Sequence, residues 1–198
     1  RPSIKKVKIK GSSLKSKSAA EFAEFVKESY PSVKEIRIVG TDEEAVRDSD
    51  IVSIATSSPT GDISQYPYIK EEWIKPGAVL SCPAAARFDD DFLIHRARNV
   101  ADNIMLYEAW EDEMPYPAYE SIPIPAVHCM DLIHDGKMTK DQVDDLGDVI
   151  TGKVPVHRRK DEIVVYSVGG MPVEDVAWGT VCYRNALQLN LWNQPQLA

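Results

Sequence analysis

The residues with the clearest chemical potential stand where short apolar runs end. Ser167-Val-Gly-Gly170 follows Ile163 to Tyr166, an apolar run of strand length, and precedes a long helical pattern opened by Pro172. A turn so poor in side chains leaves backbone groups and one hydroxyl open to a ligand. In an open α/β sheet, ligands sit at the C-terminal edge of the strands. Pro172 fixes φ at a first helical position, and Glu174 and Asp175 complement the positive end of a helix dipole. An ordinary strand-turn-helix connection would carry the same residues. Thr56, Ser57 and Ser58 close a second apolar run, either as hydrogen-bonding groups in a cleft or as a plain polar strand end. Asp102 and Asn103 close a third. Asp89 has the placing of a helix cap.

Other chemistries lack their residues. His95, His128, His134 and His157 have no metal-ligand spacing, so no metal site is expected. There is no CxxC, no Gly-x-Ser-x-Gly elbow, no P-loop and no GxGxxG.

The elements that must position these groups follow from periodicity. Ile4, Val7 and Ile9 alternate with lysines in a strand that begins almost at Arg1. Ser18 and Glu21 have capping-box spacing, and Ala19, Phe22, Ala23 and Val26 then share one helical face, ending before Pro31. A strand is expected over Glu35 to Val39, and a short helix capped by Thr41 and Glu44. Asp50 to Thr56 reads as a strand covered on both faces. Trp73 to Gly77 turns into another buried strand, Ala78 to Cys82. Asp89 to Arg98 reads as helix, Asn99 to Asp102 as strand, and Met105 to Glu113 as helix. Pro115, Pro117, Pro123 and Pro125 make the next stretch irregular, with Tyr107, Trp110, Tyr116 and Tyr119 packing beneath it. Val127 to His134 and Thr139 to Ile150 read as helices, the second showing a solvated face of Asp141, Asp144, Asp145 and Asp148. Strands alternating with helices predict a parallel α/β sheet.

Composition narrows the partners. The 198 residues carry a net charge of -8 with no basic face, which argues against nucleic acid or an anionic membrane. No apolar run reaches membrane-spanning length. The three cysteines, Cys82, Cys129 and Cys182, are odd in number and sit in apolar sequence, so a reducing cytoplasm is the expected compartment.

Four segments recur in a characteristic order: Asp48 to Ser57, Trp73 to Leu80, Asp148 to Gly152, and Ser167 to Asp175. Together they resemble the ornithine cyclodeaminase/mu-crystallin family over nearly the whole chain. The resemblance implies a Rossmann-type parallel sheet flanked by helices, a nicotinamide dinucleotide, an amino-acid or imino-acid substrate and a homodimer. It also implies that the first Rossmann strand and its Gly-rich loop are absent from this chain. Residues 1–170 would then be a partial dinucleotide-binding domain, with 171–198 returning toward an absent N-terminal substrate and dimerisation domain. Such a chain alone is expected to hold the dinucleotide weakly and to be inactive.

The resemblance also assigns roles. It places Thr56, Ser57 and Ser58 at the cofactor's ribose or phosphate, and Ser167 and Gly169 beside the nicotinamide. Asp175 matches an acidic family position, against a plain helix-start carboxylate. The end of the second Rossmann strand is acidic when the ribose 2′-OH is free. Here Lys8 to Lys15 has no acid, so NADP is preferred over NAD, with Lys10, Ser12, Ser13 and Lys15 near a 2′-phosphate. The family carboxylate after the strand ending at Cys82 falls at about Ala86, and Asp89 is the nearest acid. An amino-acid or opine-type dehydrogenase is therefore expected. The alternatives are an ornithine cyclodeaminase, which releases ammonia and uses NAD catalytically, and a non-catalytic NADP- or small-ligand-binding mu-crystallin-like protein.

Overall fold

The computed structural model describes residues 4–56, 62–156, 159–170, 172–189 and 191. Strands β1 (Lys6–Lys10) and β2 (Glu35–Val39) pair in parallel, with helix α1 (Lys17–Ser29) between them in sequence. Helix α2 (Asp42–Val46) leads to a second sheet made of β3 (Ile51–Ser53), β4 (Val79–Cys82), β5 (Ala97–Ala101), β6 (Val143–Asp145) and β7 (Ile163–Ser167). Its order is β3-β4-β7-β5-β6, and every pairing is parallel. The crossovers carry α3 (Asp90–His95), α4 (Ile104–Glu113), α5 (Pro125–His134) and α6 (Leu146–Ile150), and α7 (Pro172–Gln188) follows β7. The α/β class and the parallel, helix-flanked sheet read from the sequence are what the chain adopts. The central strands hold the core, where Leu80, Cys82 and Val165 meet Phe92, Leu93, Tyr107, Val127 and Met130.

Several local expectations match in detail. Thr41 accepts from the Glu44 amide while the Glu44 carboxylate accepts from the Thr41 amide, so α2 opens on a closed capping box. Helix α5 differs at its start: it begins at Pro125, expected in the irregular stretch, and not at Val127, because a proline's missing N–H costs nothing at a first helical position.

Others are corrected. The cap of α1 is Ser16, whose hydroxyl accepts from Ala19, and not Ser18. Ala19 and Val26 are buried as expected, but Phe22 is 51% exposed and stacks on Phe25. The stretch Asp50 to Thr56 gives only the three-residue β3, with Ile51 65% exposed. Ile51 and Ser53 lie on the same exposed face, so the two faces of β3 are not both covered. Helix α3 stops at His95, and the following strand begins at Ala97. Cys182 is exposed, unlike Cys82 and Cys129.

The largest correction is Thr139 to Ile150. A single 3₁₀ turn, Lys140–Gln142, gives way to β6 and then to α6. Asp144 is not on a solvated face: it is buried and accepts from Arg98 Nε at 2.7 Å. Arg98, buried as well, also donates to the Pro155 and Val156 carbonyls at 2.7 Å each and to Glu162 at 3.4 Å. The guanidinium thus ties β5, β6 and the loop before β7 together. Removing one partner of a buried ion pair strands the others in low dielectric. Arg98→Met is therefore expected to lower the unfolding free energy by about 3–5 kcal/mol in urea titrations. A loss below about 1 kcal/mol would mean that the network behaves as a surface pair.

Candidate functional site

Because all strands are parallel, the residues after β1, β3, β4, β5 and β7 leave at the same edge of their sheets. The most constrained of these exits is the turn after β7. Ser167 is 2% exposed, Val168 and Gly169 are half-buried and Gly170 is exposed, so the chain climbs outward through the turn. The Val168 amide donates to the Cys82 carbonyl at 3.1 Å, and the Ser167 carbonyl accepts from the Asp102 amide at 3.1 Å. A Cβ at Gly169 would meet Tyr107 Oη at 2.9 Å, and Leu106 Cδ2 and Trp110 Cη2 at 3.1 Å. Gly170 has φ +107 with nothing near its absent Cβ, so its backbone can be approached closely.

Beneath the turn lies Asp102, only 4% exposed. Its Oδ1 accepts from Tyr107 Oη at 2.7 Å and from the Asn103 amide at 3.0 Å. Its Oδ2 accepts from the Gly169 and Gly170 amides at 3.0 and 2.9 Å. Burial, and then the bond to this carboxylate, pushes the Tyr107 phenol well above its ordinary range, so it stays a donor. Asn103 caps α4 by accepting from the Met105 amide at 3.1 Å, and Asp145 accepts from Ile104 at 3.0 Å. The Cys82 thiol is pushed up to about 12 by burial, which leaves it inert.

The other expected site residues fall in three groups. Lys10, at the end of β1, pairs with Asp42 of α2 at 3.2 Å. Ser12 and Ser13 form an exposed bend just beyond it, and Ser13 Oγ accepts from the Lys15 amide. Thr56 is half-buried after β3, whereas Ser57 and Ser58 lie outside the described residues, as does His157. Asp175 sits exposed in the first turn of α7.

The structure does not bring Asp89 to this edge. Its Oδ1 accepts from Tyr68 Oη at 2.5 Å, and it gives α3 no side-chain cap. It borders a groove of about 630 Å³ that reaches Pro76 and Ile163, at the starts of β4 and β7. On its way to α3 the chain pairs at Arg87 with the segment around Tyr68, which places Asp89 beside that tyrosine. Ser167 is also corrected: its side chain is enclosed, so what the turn offers is backbone. Asp102, weighed from sequence mainly as a strand end, is the group that organises the turn. Its position after an apolar strand was the only signal.

The aromatic residues divide. Tyr107 meets Trp110 edge-on, while Tyr119 stacks on His128 and Tyr116 on His134. Tyr119 also donates to the Ala86 carbonyl at 2.9 Å, fixing the loop after β4.

A family model for ornithine cyclodeaminase and mu-crystallin matches residues 1–190. This chain belongs to the ornithine cyclodeaminase/mu-crystallin family. An N-((2S)-2-amino-2-carboxyethyl)-L-glutamate dehydrogenase of Staphylococcus aureus is 25% identical over 179 residues, or 89% of this chain and 46% of that protein. An archaeal alanine dehydrogenase dimer with bound NAD has a TM-score of 0.69 at 20% identity, covering 98% of this chain and 53% of that one. The iminosuccinate reductase of Paracoccus denitrificans, in complex with NAD+, has a TM-score of 0.63 at 18% identity, covering 94% and 50%. These likenesses establish that the fold is shared. The chain spans about half the length of these relatives.

The close approach at Gly169 gives a direct test of the site's packing. Gly169→Ala must displace Tyr107, Leu106 or Trp110, and overpacking of this kind costs about 1–3 kcal/mol. Urea denaturation should show that loss, and an unchanged midpoint would mean that the turn is not held against α4.

Proposed function

We propose that the full-length protein is a nicotinamide-dinucleotide-dependent oxidoreductase of amino acids or their imines. The observation that carries this is the turn Ser167–Gly170, held open at the common C-terminal edge of the parallel strands in a chain of this family. The absence of a Cβ at Gly170, with free space where one would stand, fits the close approach of a flat ring. The dinucleotide, when bound, would supply the hydride chemistry. In the oxidising direction the substrate's α-C–H bond breaks with its electron pair leaving as hydride. The amine then releases a proton as the imine forms.

The chain's own residues would bind and orient. Thr56, with Ser57 and Ser58, would hydrogen-bond the ribose or phosphate, and the backbone at Gly169 would flank the nicotinamide. Lys10, Ser12 and Ser13 would receive the adenosine end. Asp175, just past the turn, is the carboxylate we place nearest the reacting carbon. Residues 1–170 would form the dinucleotide side. The apolar face of α7, with Trp178 71% exposed beside Val181 and Leu187, would pack on a substrate and dimerisation domain. We place the homodimer in the cytoplasm; no described helix is long and apolar enough to cross a membrane.

A dehydrogenase is favoured over a cyclodeaminase by the loop after β4. Pro83 to Ala86 contains no acid, Ala86 is fully buried, and Asp89 is bonded to Tyr68. Ring closure with loss of ammonia needs several ordered proton transfers, whereas reduction of an existing imine asks less of the protein. Amino acids should therefore give a net rise in reduced cofactor absorbance. Ammonia release from ornithine without net cofactor change would point to a cyclodeaminase instead, and binding with neither to a non-catalytic protein.

Cofactor choice follows from the end of β1. Lys8 to Lys15 offers no carboxylate for a free 2′-OH, and a 2′-phosphate would compete with Asp42 for Lys10. We propose NADP over NAD. Calorimetry should give tighter binding of NADP(H), and Lys10→Glu should weaken it about tenfold or more while barely altering NAD(H). Equal or tighter NAD(H) binding by the wild type would refute this preference.

A further inference from the structure

Three successive amides of the β7 turn are spent inside the protein. Val168 donates to Cys82, and Gly169 and Gly170 donate together to Asp102 Oδ2. Two adjacent N–H groups converging on one point form a concave anion site, of the kind that elsewhere takes a phosphate or carbonyl oxygen from a ligand. Here the protein's own carboxylate fills it. The filling group is itself fixed, because Oδ1 is held by Tyr107 Oη and the Asn103 amide. Tyr107 is fully buried, so this support does not depend on solvent. With these three donors turned inward, Val168 to Gly170 offer a ligand carbonyl oxygens as their polar backbone groups.

We infer that Asp102 is a positioning residue that sets the hydrogen-bond polarity of this turn, making it an acceptor surface that selects the NH₂ of the nicotinamide carboxamide and not its oxygen. The inference rests on the placement of the nicotinamide beside this turn under Proposed function, and adds which end of the carboxamide is recognised and why. A ring bearing a methyl ketone in place of the amide would set a methyl group, or on rotation its own oxygen, against these acceptors. A site built to bond an N–H discriminates strongly against an analogue that lacks it.

The test compares binding of the natural dinucleotide with its 3-acetylpyridine analogue, which replaces the amide NH₂ by a methyl group. Both dissociation constants are measured by calorimetry on the full-length protein. The wild type should prefer the carboxamide form by about tenfold, the scale of one hydrogen bond. Asp102→Ala releases the Gly169 and Gly170 donors to the ligand's oxygen, so the preference should fall to near one. Asp102→Asn can keep its Oδ1 on the two glycine amides, with Nδ2 donating to Tyr107 Oη at the loss of the Asn103 amide's acceptor, and should retain most of the preference. A merely structural role would weaken both ligands alike and leave their ratio unchanged.

Hydrogen exchange of wild-type Gly169 and Gly170 keeps the inference testable should Asp102→Ala fail to fold. Both amides should be protected before any dinucleotide is added, and equally so afterwards. Protection that appears only with the dinucleotide would make the ligand their acceptor and overturn the inference. So would a wild-type ratio near one, or a folded Asp102→Ala that keeps the wild-type ratio. If the wild type binds neither compound, the placement of the nicotinamide falls, and this inference falls with it.

Discussion

Parallel pairing is the constraint on which the rest of this structure depends. Every described strand runs the same way as its neighbour, so each must be reached by a crossover and each exits at a common edge. The crossovers put helices over the sheet, and helix starts gather at the edge where strands end. Unsatisfied N–H groups therefore accumulate there. Much of the edge's polar side-chain content is used to satisfy them: Asn103 and Asp145 at α4, Asp145 again at α6, and Asp102 at the β7 turn. What remains for a ligand is the residue of that accounting, mainly backbone around Val168 to Gly170 and the polar exits of β1 and β3.

Elements whose causes are local were legible in the sequence. Thr41 and Glu44 determine their own helix start within four residues, and β2 follows from the alternation of Ile36 and Ile38 with charged residues. The Ser16 cap was missed because Ser18, two residues later, has the capping-box spacing to Glu21 that Ser16 lacks, and which serine wins is settled by how the chain enters from β1. Gly11 lies so close to Ser16 that an added Cβ would stand 2.7 Å from Ser16 Cβ. That approach fixes the entry and hence the cap.

The misreadings share a different cause. Thr139 and Gln142 do form the capping box that their spacing advertises, but the helix does not continue. Val143 to Asp145 is taken into the sheet beside β5, where Arg98, 46 residues earlier, supplies the partner for Asp144. A local helix signal therefore loses to a buried charge pair formed across the sheet. Asp102 was hard to read for the same reason. Its acceptors serve Gly169 and Gly170, 67 and 68 residues away, and no local pattern announces such a bond. The apolar run, the glycines and Pro172 located the turn within the chain, but they said nothing of the carboxylate beneath it.

Three buried carboxylates hold irregular segments, two by accepting from their amides and one through an arginine. Asp131 accepts from the Ala118 and Tyr119 amides at 3.0 and 2.8 Å, pinning the proline-rich segment to α5. Asp144 and Arg98 pin the loop at Pro155 and Val156. Asp102 pins the β7 turn. Each segment is irregular, and its covered backbone groups need partners: acceptors for the amides of the proline-rich segment and the β7 turn, donors for the Pro155 and Val156 carbonyls. A carboxylate projecting from a regular element meets that need with two oxygens of fixed separation, and it is tolerable in the interior only because donors surround it. The cost of burying the charge is thereby converted into a defined loop shape. At Asp131 and Asp144 that shape serves the fold. At Asp102 the pinned amides belong to a turn at the C-terminal edge of the sheet, so the same device that satisfies the backbone also decides which backbone atoms that edge presents.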